Sequence, residues 1–346
     1  MQVLEASGVP CAGGGMRRRE FIALLLGTAL EWPTLTRAQQ ASGPKRRVGL
    51  LMVWSEADKE GEARLKAFAD KLQELGWANG KNLQIDVRWT SPSAEEMRSA
   101  ARELVALQPD LIIAGATPAV VALARETRLI PIVFVSVSDP VGSGLVTDLA
   151  HPGGNITGYT AFEFSIGGKW LQTMKDLAQN VERAAVLFNP ATAPYAPNYM
   201  RSIEAASKSL GVEVSTLTVS DPTELEQALK TFAIKQNAAL VVMNDIFTAA
   251  NRERIITLAA DLRLPAIYPY RFFVAAGGLI SYGAEPLELY LRAAAYGDRI
   301  LRGANPGDLP IQQPTKYELV INRKTARALG LTVSPLLLAR ADEVTE

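Results

Sequence analysis

The sequence is poor in the residues that carry most hydrolytic and metal chemistry. It holds one histidine, His151, and one cysteine, Cys11. A Ser-His-Asp site would have to use His151, which sits in the turn-rich string HPGGN. A His/Cys zinc cluster cannot be built from one of each, and a Cys-His pair is lost if Cys11 leaves with an export segment. Nucleotide motifs are missing too. The first apolar run is followed by Trp54-Ser55-Glu56-Ala57-Asp58, where a dinucleotide site would place G-x-G-x-x-G, and there is no P-loop. No surplus of positive charge offers a face to nucleic acid: Lys+Arg and Asp+Glu are both 36, so the net charge is zero. Carboxylate-only chemistry survives these exclusions, but no paired-carboxylate motif stands out. What is present in quantity is core material: 48% hydrophobic against 21% charged residues marks a packed globular chain rather than a disordered one, and 346 residues suit two α/β lobes plus a leader.

The leader is legible. Arg17, Arg18 and Arg19 precede an apolar run from Phe21 to Leu30, followed by Pro33 and a small-x-small site at Thr36-Arg37-Ala38. That order of charge, apolar core and small residues predicts a secretory signal. Arg18-Arg19-Glu20-Phe21 also fits the twin-arginine kernel. The apolar run is about half the ~20 residues a membrane-spanning helix needs. Met1–Gly15 matches no part of a signal, so Met16 is the expected start and residues 1–38 are extension plus signal. Cleavage after Ala38 predicts a periplasmic protein without cysteine, hence without disulfides.

From Arg46 onward, short β-branched runs alternate with helical patterns, the signature of parallel α/β architecture. The first series of strands is read at 47–53, 83–89, 111–116 and 131–137. Between them a helix over 60–75 places Leu65, Phe68, Leu72 and Leu75 on one face, and Gly76 ends it. A second helix opens at Ser93 with a capping box, and a third opens at Thr117 as N-cap with Pro118 behind it. After HPGGN the pattern restarts. Strands are read at 156–160, 183–189, 213–219, 239–244, 265–268 and 279–282, with helices between them. A long helix over 286–301, a strand at 318–321 and a helix at 324–329 follow. Two βα series predict two parallel sheets with right-handed crossovers.

Ligands of such sheets sit beyond the carboxyl ends of the strands, where helix N-termini aim N–H groups into the crevice. That rule selects Trp54 and Ser55 after the first strand, Thr117 after the third, and Ser136, Ser138 and Asp139 after the fourth. In the second series it selects Asn189 with Tyr195, then Asn244, Asp245 and Phe247. Hydroxyls and helix N-termini suit an anionic end, Asp245 an ammonium, and the aromatic residues an apolar body. The set predicts an amino-acid-like or amide ligand. Several of these residues have a structural role open to them as well: Thr117 as a cap, Asp139 as a turn former before Pro140, Trp54 and Tyr195 as shields at the cleft edge. Phe272 and Phe273 read as packing rather than ligand wall.

The strings ELGWANGKNLQIDVRW, PIVFVSVSDPVGSGLV, HPGGNITGYT, LFNPATAPY, GGLISYG and PTKYELVINRKTARALGLTV occur in unbroken order between about Arg46 and Glu343. Together they resemble the ABC-transporter substrate-binding proteins, the family that includes the tryptophan/tyrosine-type periplasmic binding proteins. The resemblance implies a type I periplasmic-binding-protein fold of two Rossmann-like lobes, no catalysis and no cofactor. It also implies a small ligand between the lobes, an ABC permease as partner, and a monomeric mature chain. It puts the acid at Asp245 near the ligand's polar head. It further implies that the chain crosses back between lobes near Tyr282–Gly283 and Pro314–Lys316, giving a multi-strand hinge. Lobe 1 is then 46–157 with about 283–314, and lobe 2 is 158–282 with about 315–346. Two other functions fit the same cleft: a sensor domain signalling to a membrane receptor, and an Asp/Glu-dependent α/β enzyme.

Overall fold

The computed structural model describes residues 45–346; the signal residues Arg18, Arg19 and Ala38, and Cys11, lie outside the described residues. The first sheet is built from β1 (Arg46–Met52), β2 (Leu83–Trp89), β3 (Leu111–Gly115), β4 (Ile132–Val137) and β5 (Ile156–Thr160). Its spatial order is β2-β1-β3-β4-β5, and every pair is parallel. Three helices connect the first four strands: α1 (Lys59–Glu74), α2 (Ala94–Ala106) and α3 (Thr117–Glu126). Along β1, Val48, Leu50 and Met52 enter one apolar cluster while Leu51 and Val53 enter another on the opposite face. A strand covered on both faces needs a continuous apolar run, which is what the sequence provides.

Capping is local and explicit. Asp58 accepts the Glu60 N–H at the start of α1, and Ser93 accepts the Glu96 N–H at the start of α2. The expected capping box is half made, because the Glu96 carboxylate takes the Ser91 N–H (2.9 Å) instead of reaching Ser93. The third helix departs from expectation: its cap position is Ala116, at φ +69°, and Thr117 lies inside the helix. The buried stripe of α1 is also rotated from the one predicted. It runs Gly61, Arg64, Phe68, Leu72, so an arginine takes the place expected for Leu65.

The second sheet follows, with α4 (Ile166–Leu177), β6 (Arg183–Phe188), α5 (Ala196–Leu210), β7 (Glu213–Thr218), α6 (Pro222–Ala233) and β8 (Ala238–Val242). Next come α7 (Ile246–Ala250), α8 (Arg252–Asp261), β9 (Ala266–Tyr268), α9 (Arg271–Ala275) and β10 (Ile280–Gly283). The chain ends with α10 (Pro286–Leu301), β11 (Glu318–Asn322), α11 (Arg323–Ala328), α12 (Pro335–Arg340) and β12 (Glu343–Thr345). The sheet order is β12-β11-β10-β9-β8-β6-β7, parallel except for β10 against β11.

The strand at 156–160, expected to open the second series, is instead the edge of the first sheet, paired to β4 from Ile156 onward. The chain therefore changes sheets after Thr160. Two further passages follow. Leu289, Tyr290, Ala293 and Ala294 of α10 pack into the apolar cluster of the first sheet, although β10 before it and β11 after it belong to the second. Gly283 marks the outward passage: a Cβ there would stand 1.8 Å from the Pro269 carbonyl oxygen, so no other residue fits without moving the backbone.

Candidate functional site

The carboxyl ends of the two sheets face each other across a cavity of about 60 Å³. Trp54 reaches it from beyond β1, Gly115 and Ala116 from the end of β3, and Ser136 from β4. Asn244 and Asp245 reach it from beyond β8, Tyr270 and Phe272 from around α9, and Tyr290 from α10. The β4/β5 register shifts between Val135 and Val137, so Ser136 is a bulge residue, held at φ +56°. A bulge re-aims a side chain that regular pleating would send elsewhere, here toward the cavity.

One wall is aromatic. Trp54 meets Phe272 edge to face (centroids 6.0 Å, 80°), and Phe272 lies nearly parallel to Tyr270 (5.3 Å, 18°). The Arg64 guanidinium lies 4.5 Å from the Trp54 ring centre and 5.4 Å from that of Phe272. Arg64 is 3% exposed, and its Nη1 donates to the Glu60 carbonyl and to the Glu60 carboxylate (2.8 Å). Among the described residues its Nε and Nη2 carry no hydrogen bond, and the residue lines the cavity. The site thus holds a buried cation with donors in reserve, braced by aromatic faces.

Opposite stands a buried acid. Asp245, 3% exposed, caps α7: Oδ1 accepts from Phe247 N–H (3.0 Å) and Thr192 Oγ1 (2.6 Å), and Oδ2 accepts from Asn189 N–H (2.9 Å). Burial pushes its pKa up to about 6, against the pull of those three donors. Three of roughly four acceptor positions on the carboxylate are filled, which leaves one on Oδ2. Tyr195, Tyr199 and Tyr270 have their phenol pKa values raised, chiefly by burial, so all three remain neutral donors.

A polar seam joins the two sheets behind the cavity. Asn244 Nδ2 donates to Ser138 Oγ (3.3 Å), which also pairs with the Tyr199 hydroxyl (3.2 Å). Tyr270 donates to Asn244 Oδ1 (2.7 Å) and Tyr195 to the Asn244 carbonyl (2.8 Å). At the rim, Arg252 grips Asp58 with two bonds (2.7 and 3.0 Å), each side chain 14% exposed. Asn198 donates to Asp139 Oδ2 (2.7 Å) on another side.

Of the residues chosen from the sequence, Trp54, Ser136, Tyr195, Asn244 and Asp245 line this cavity. The others do not. Ser55 is exposed in a neighbouring groove, and Asn189 spends its side chain on Ser220 and Ala191. Thr117 uses its hydroxyl on the backbone of Ser138 (3.1 Å both ways), while Ser138 serves the seam. Asp139 closes a turn at Gly142 N–H, and Phe247 points into the core of the second sheet. The large or charged side chains of the lining that were not chosen are Arg64, Tyr270, Phe272 and Tyr290. Phe272, read as packing, is a cavity wall. All four come from or beside helices, outside the reach of a rule about strand ends. One signal was available: an arginine spaced four residues from Phe68 and eight from Leu72, on the buried stripe of α1.

Two mainly parallel sheets meeting over such a cavity define a two-lobed α/β ligand receptor, the type I periplasmic-binding-protein architecture. The chain belongs to the ABC transporter substrate binding protein family, whose family model matches residues 57–345. It is 29% identical over 266 residues to a tyrosine-binding protein of Clostridioides difficile, covering 77% of this chain and 76% of that one. Among solved structures it resembles a conserved domain protein from Vibrio cholerae (28% identity, TM-score 0.81, 87% of this chain and all of that one). It also resembles an ABC domain in complex with L-Trp from Streptococcus pneumonia (25% identity, TM-score 0.79, 87% and 99%). The protein is a solute-binding component of an ABC transporter; its family consists of substrate-binding proteins, not enzymes, and those of importers work outside the cytoplasm. No helix among the described residues is long and apolar enough to cross a membrane.

Proposed function

We propose that this chain is exported to the periplasm, captures an amino-acid-like ligand with an aromatic body, and delivers it to an ABC permease. The observation that carries this reading is the placement of a buried cation, Arg64, and a buried acid, Asp245, on one aromatic-walled cavity. An α-amino acid has both opposite charges at one end. Its carboxylate meets the spare donors of Arg64 and the start of α3, which has no side-chain cap; its ammonium takes the open position on Asp245; its ring lies against Trp54, Tyr270 and Phe272. Similarity to a tyrosine-binding protein and to an L-Trp complex supports the same class. The contact set we assign is Trp54, Arg64, Ser136, Tyr195, Asn244 and Asp245, together with Tyr270, Phe272 and Tyr290.

The lobes we assign follow the sheets: 45–160 with α10 form one, and the segments of the second sheet form the other. A cavity of about 60 Å³ holds a few water molecules, so uptake of an amino acid requires the lobes to part and reclose. A thermal-shift screen of amino acids, small peptides, amides and nucleobases tests the reading, since a ligand bound only by the folded state raises its melting temperature. Aromatic amino acids should give the largest shifts. Shifts confined to nucleobases, or none at all, would refute it. Export through Arg18-Arg19 with cleavage after Ala38 predicts a mature protein beginning at Gln39 in the periplasmic fraction. Arg18→Lys/Arg19→Lys should hold it in the cytoplasm, and normal export of that variant would exclude the twin-arginine route.

A further inference from the structure

On the other side of Tyr195, which lines both spaces, lies a larger groove of about 490 Å³. One wall is the face of α2 carrying Ala94, Met97 and Arg98. Beside it runs the face of α3 carrying Pro118, Val121, Ala122 and Arg125. The spacings are three, four and seven residues, so each set is one side of its helix, and the two helices pack on each other. The facing wall comes from the second sheet's side, where Pro194 and Tyr195 lead into α5 and Pro197 stands in its first turn. The groove's size is that of a small-molecule site, whereas the central cavity is far smaller.

Its charge is lopsided. Arg98 and Arg125 are both exposed at the groove, and neither forms an ion pair among the described residues. The acid in the lining, Asp139, already engages Gly142 N–H (2.9 Å) and Asn198 Nδ2 (2.7 Å). Between the arginines and the prolines Met97, Val121 and Ala122 contribute apolar surface, and Thr117, Ser143 and Asn198 add polar groups. Two guanidiniums without an ion pair among the described residues, beside the apolar surface of Met97, Val121, Ala122 and Pro197, select a molecule with an anionic head and an apolar body.

We propose that this groove is a second binding site, separate from the central cavity, for a small amphipathic organic anion such as a monocarboxylate with an apolar tail. The head lies at Arg98 and Arg125 and the tail against Met97, Val121, Ala122 and Pro197. The proposal does not rest on the amino-acid reading, because the two sites share only Tyr195.

Equilibrium dialysis of labelled octanoate against the purified protein tests it, with octylamine as the cationic counterpart. Saturable binding at one site is expected for octanoate and none for octylamine. Arg98→Glu/Arg125→Glu should weaken octanoate at least tenfold, and Ala122→Trp, which fills the groove, should do the same. Trp54→Ala, in the central cavity, should leave it within twofold. The arginine variant alters exposed positions, so it remains decisive if Ala122→Trp fails a melting check. The proposal is overturned by absence of saturable octanoate binding or by equal binding of octylamine. Loss in Trp54→Ala with retention in the arginine variant would also overturn it, by placing the anion in the central cavity.

Discussion

Arg64 and Asp245 are each 3% exposed, and neither is paired to the other by an ion pair among the described residues. A buried charge without an opposite partner is costly unless hydrogen bonds or a ligand compensate it. Asp245 is compensated by three protein donors and a raised pKa; Arg64 is compensated by Glu60 and two ring faces. Arg64→Met keeps the stem and removes the charge. It should weaken a carboxylate ligand by about 2–3 kcal/mol, roughly 30- to 150-fold, measured by calorimetric titration. Unchanged affinity would take Arg64 out of the site. Asp245 adds a pH dependence with a definite sign. An ammonium pairs with the ionised acid, so affinity should be level above pH 7 and fall as pH drops through about 6, by about tenfold per unit below it. In Asp245→Asn the profile should be flat over that window. A wild-type affinity that rises on acidification would contradict the assignment.

At the scale of elements, most of the fold was legible because period and punctuation agreed. The β1 run is unambiguous, and Gly211 at φ +63° ends α5 where a glycine is needed. The sheet membership of β5 was not legible. HPGGN turns the chain, with Gly153 and Gly154 both at positive φ, yet the next strand returns to pair with β4. A turn shows where the chain bends, not which sheet it rejoins, since that choice rests on long-range pairing. The placement of α10 on the first sheet likewise depends on contacts remote in sequence, such as Trp77 Nε1 to Asp298 (2.8 Å) and the Tyr159 hydroxyl to the Arg292 carbonyl (2.9 Å). For the cavity, the strand-end rule selected five lining residues, Ser136 on β4 and four beyond β1, β6 and β8, but could not see side chains arriving from α1, α9 and α10. Gly283 is where the passage to α10 is most constrained. Gly283→Ala should cost about 2 kcal/mol or more in chemical unfolding, because the added methyl meets backbone rather than a movable side chain. A neutral effect would show that the crossing is looser than the geometry allows.

For the whole molecule, the contacts between the sheets determine how the receptor works. The Asp58–Arg252 pair spans the rim beside Trp54 and Phe272, while the Ser138–Asn244–Tyr199 seam spans the back. On the proposed reading the rim pair opens to admit a ligand, and it adds to affinity only to the extent that it is formed more fully in the liganded than in the free protein. A double-mutant cycle on Asp58→Asn and Arg252→Gln, read as ligand affinity, should show coupling of about 1–3 kcal/mol. Additive effects would mean that the pair plays no part in closure.

The central claim is that one cavity grips both charged ends of an amino acid while aromatic walls hold its body. Calorimetric titration of the purified protein with L-tryptophan, tryptamine and indole-3-propionate measures each end separately. L-tryptophan should bind, and removing either the carboxylate or the ammonium should weaken it by about 2 kcal/mol or more. The tryptamine deficit should disappear in Arg64→Met and the indole-3-propionate deficit in Asp245→Asn. Equal binding of all three compounds, or deficits that persist in those variants, would contradict the account.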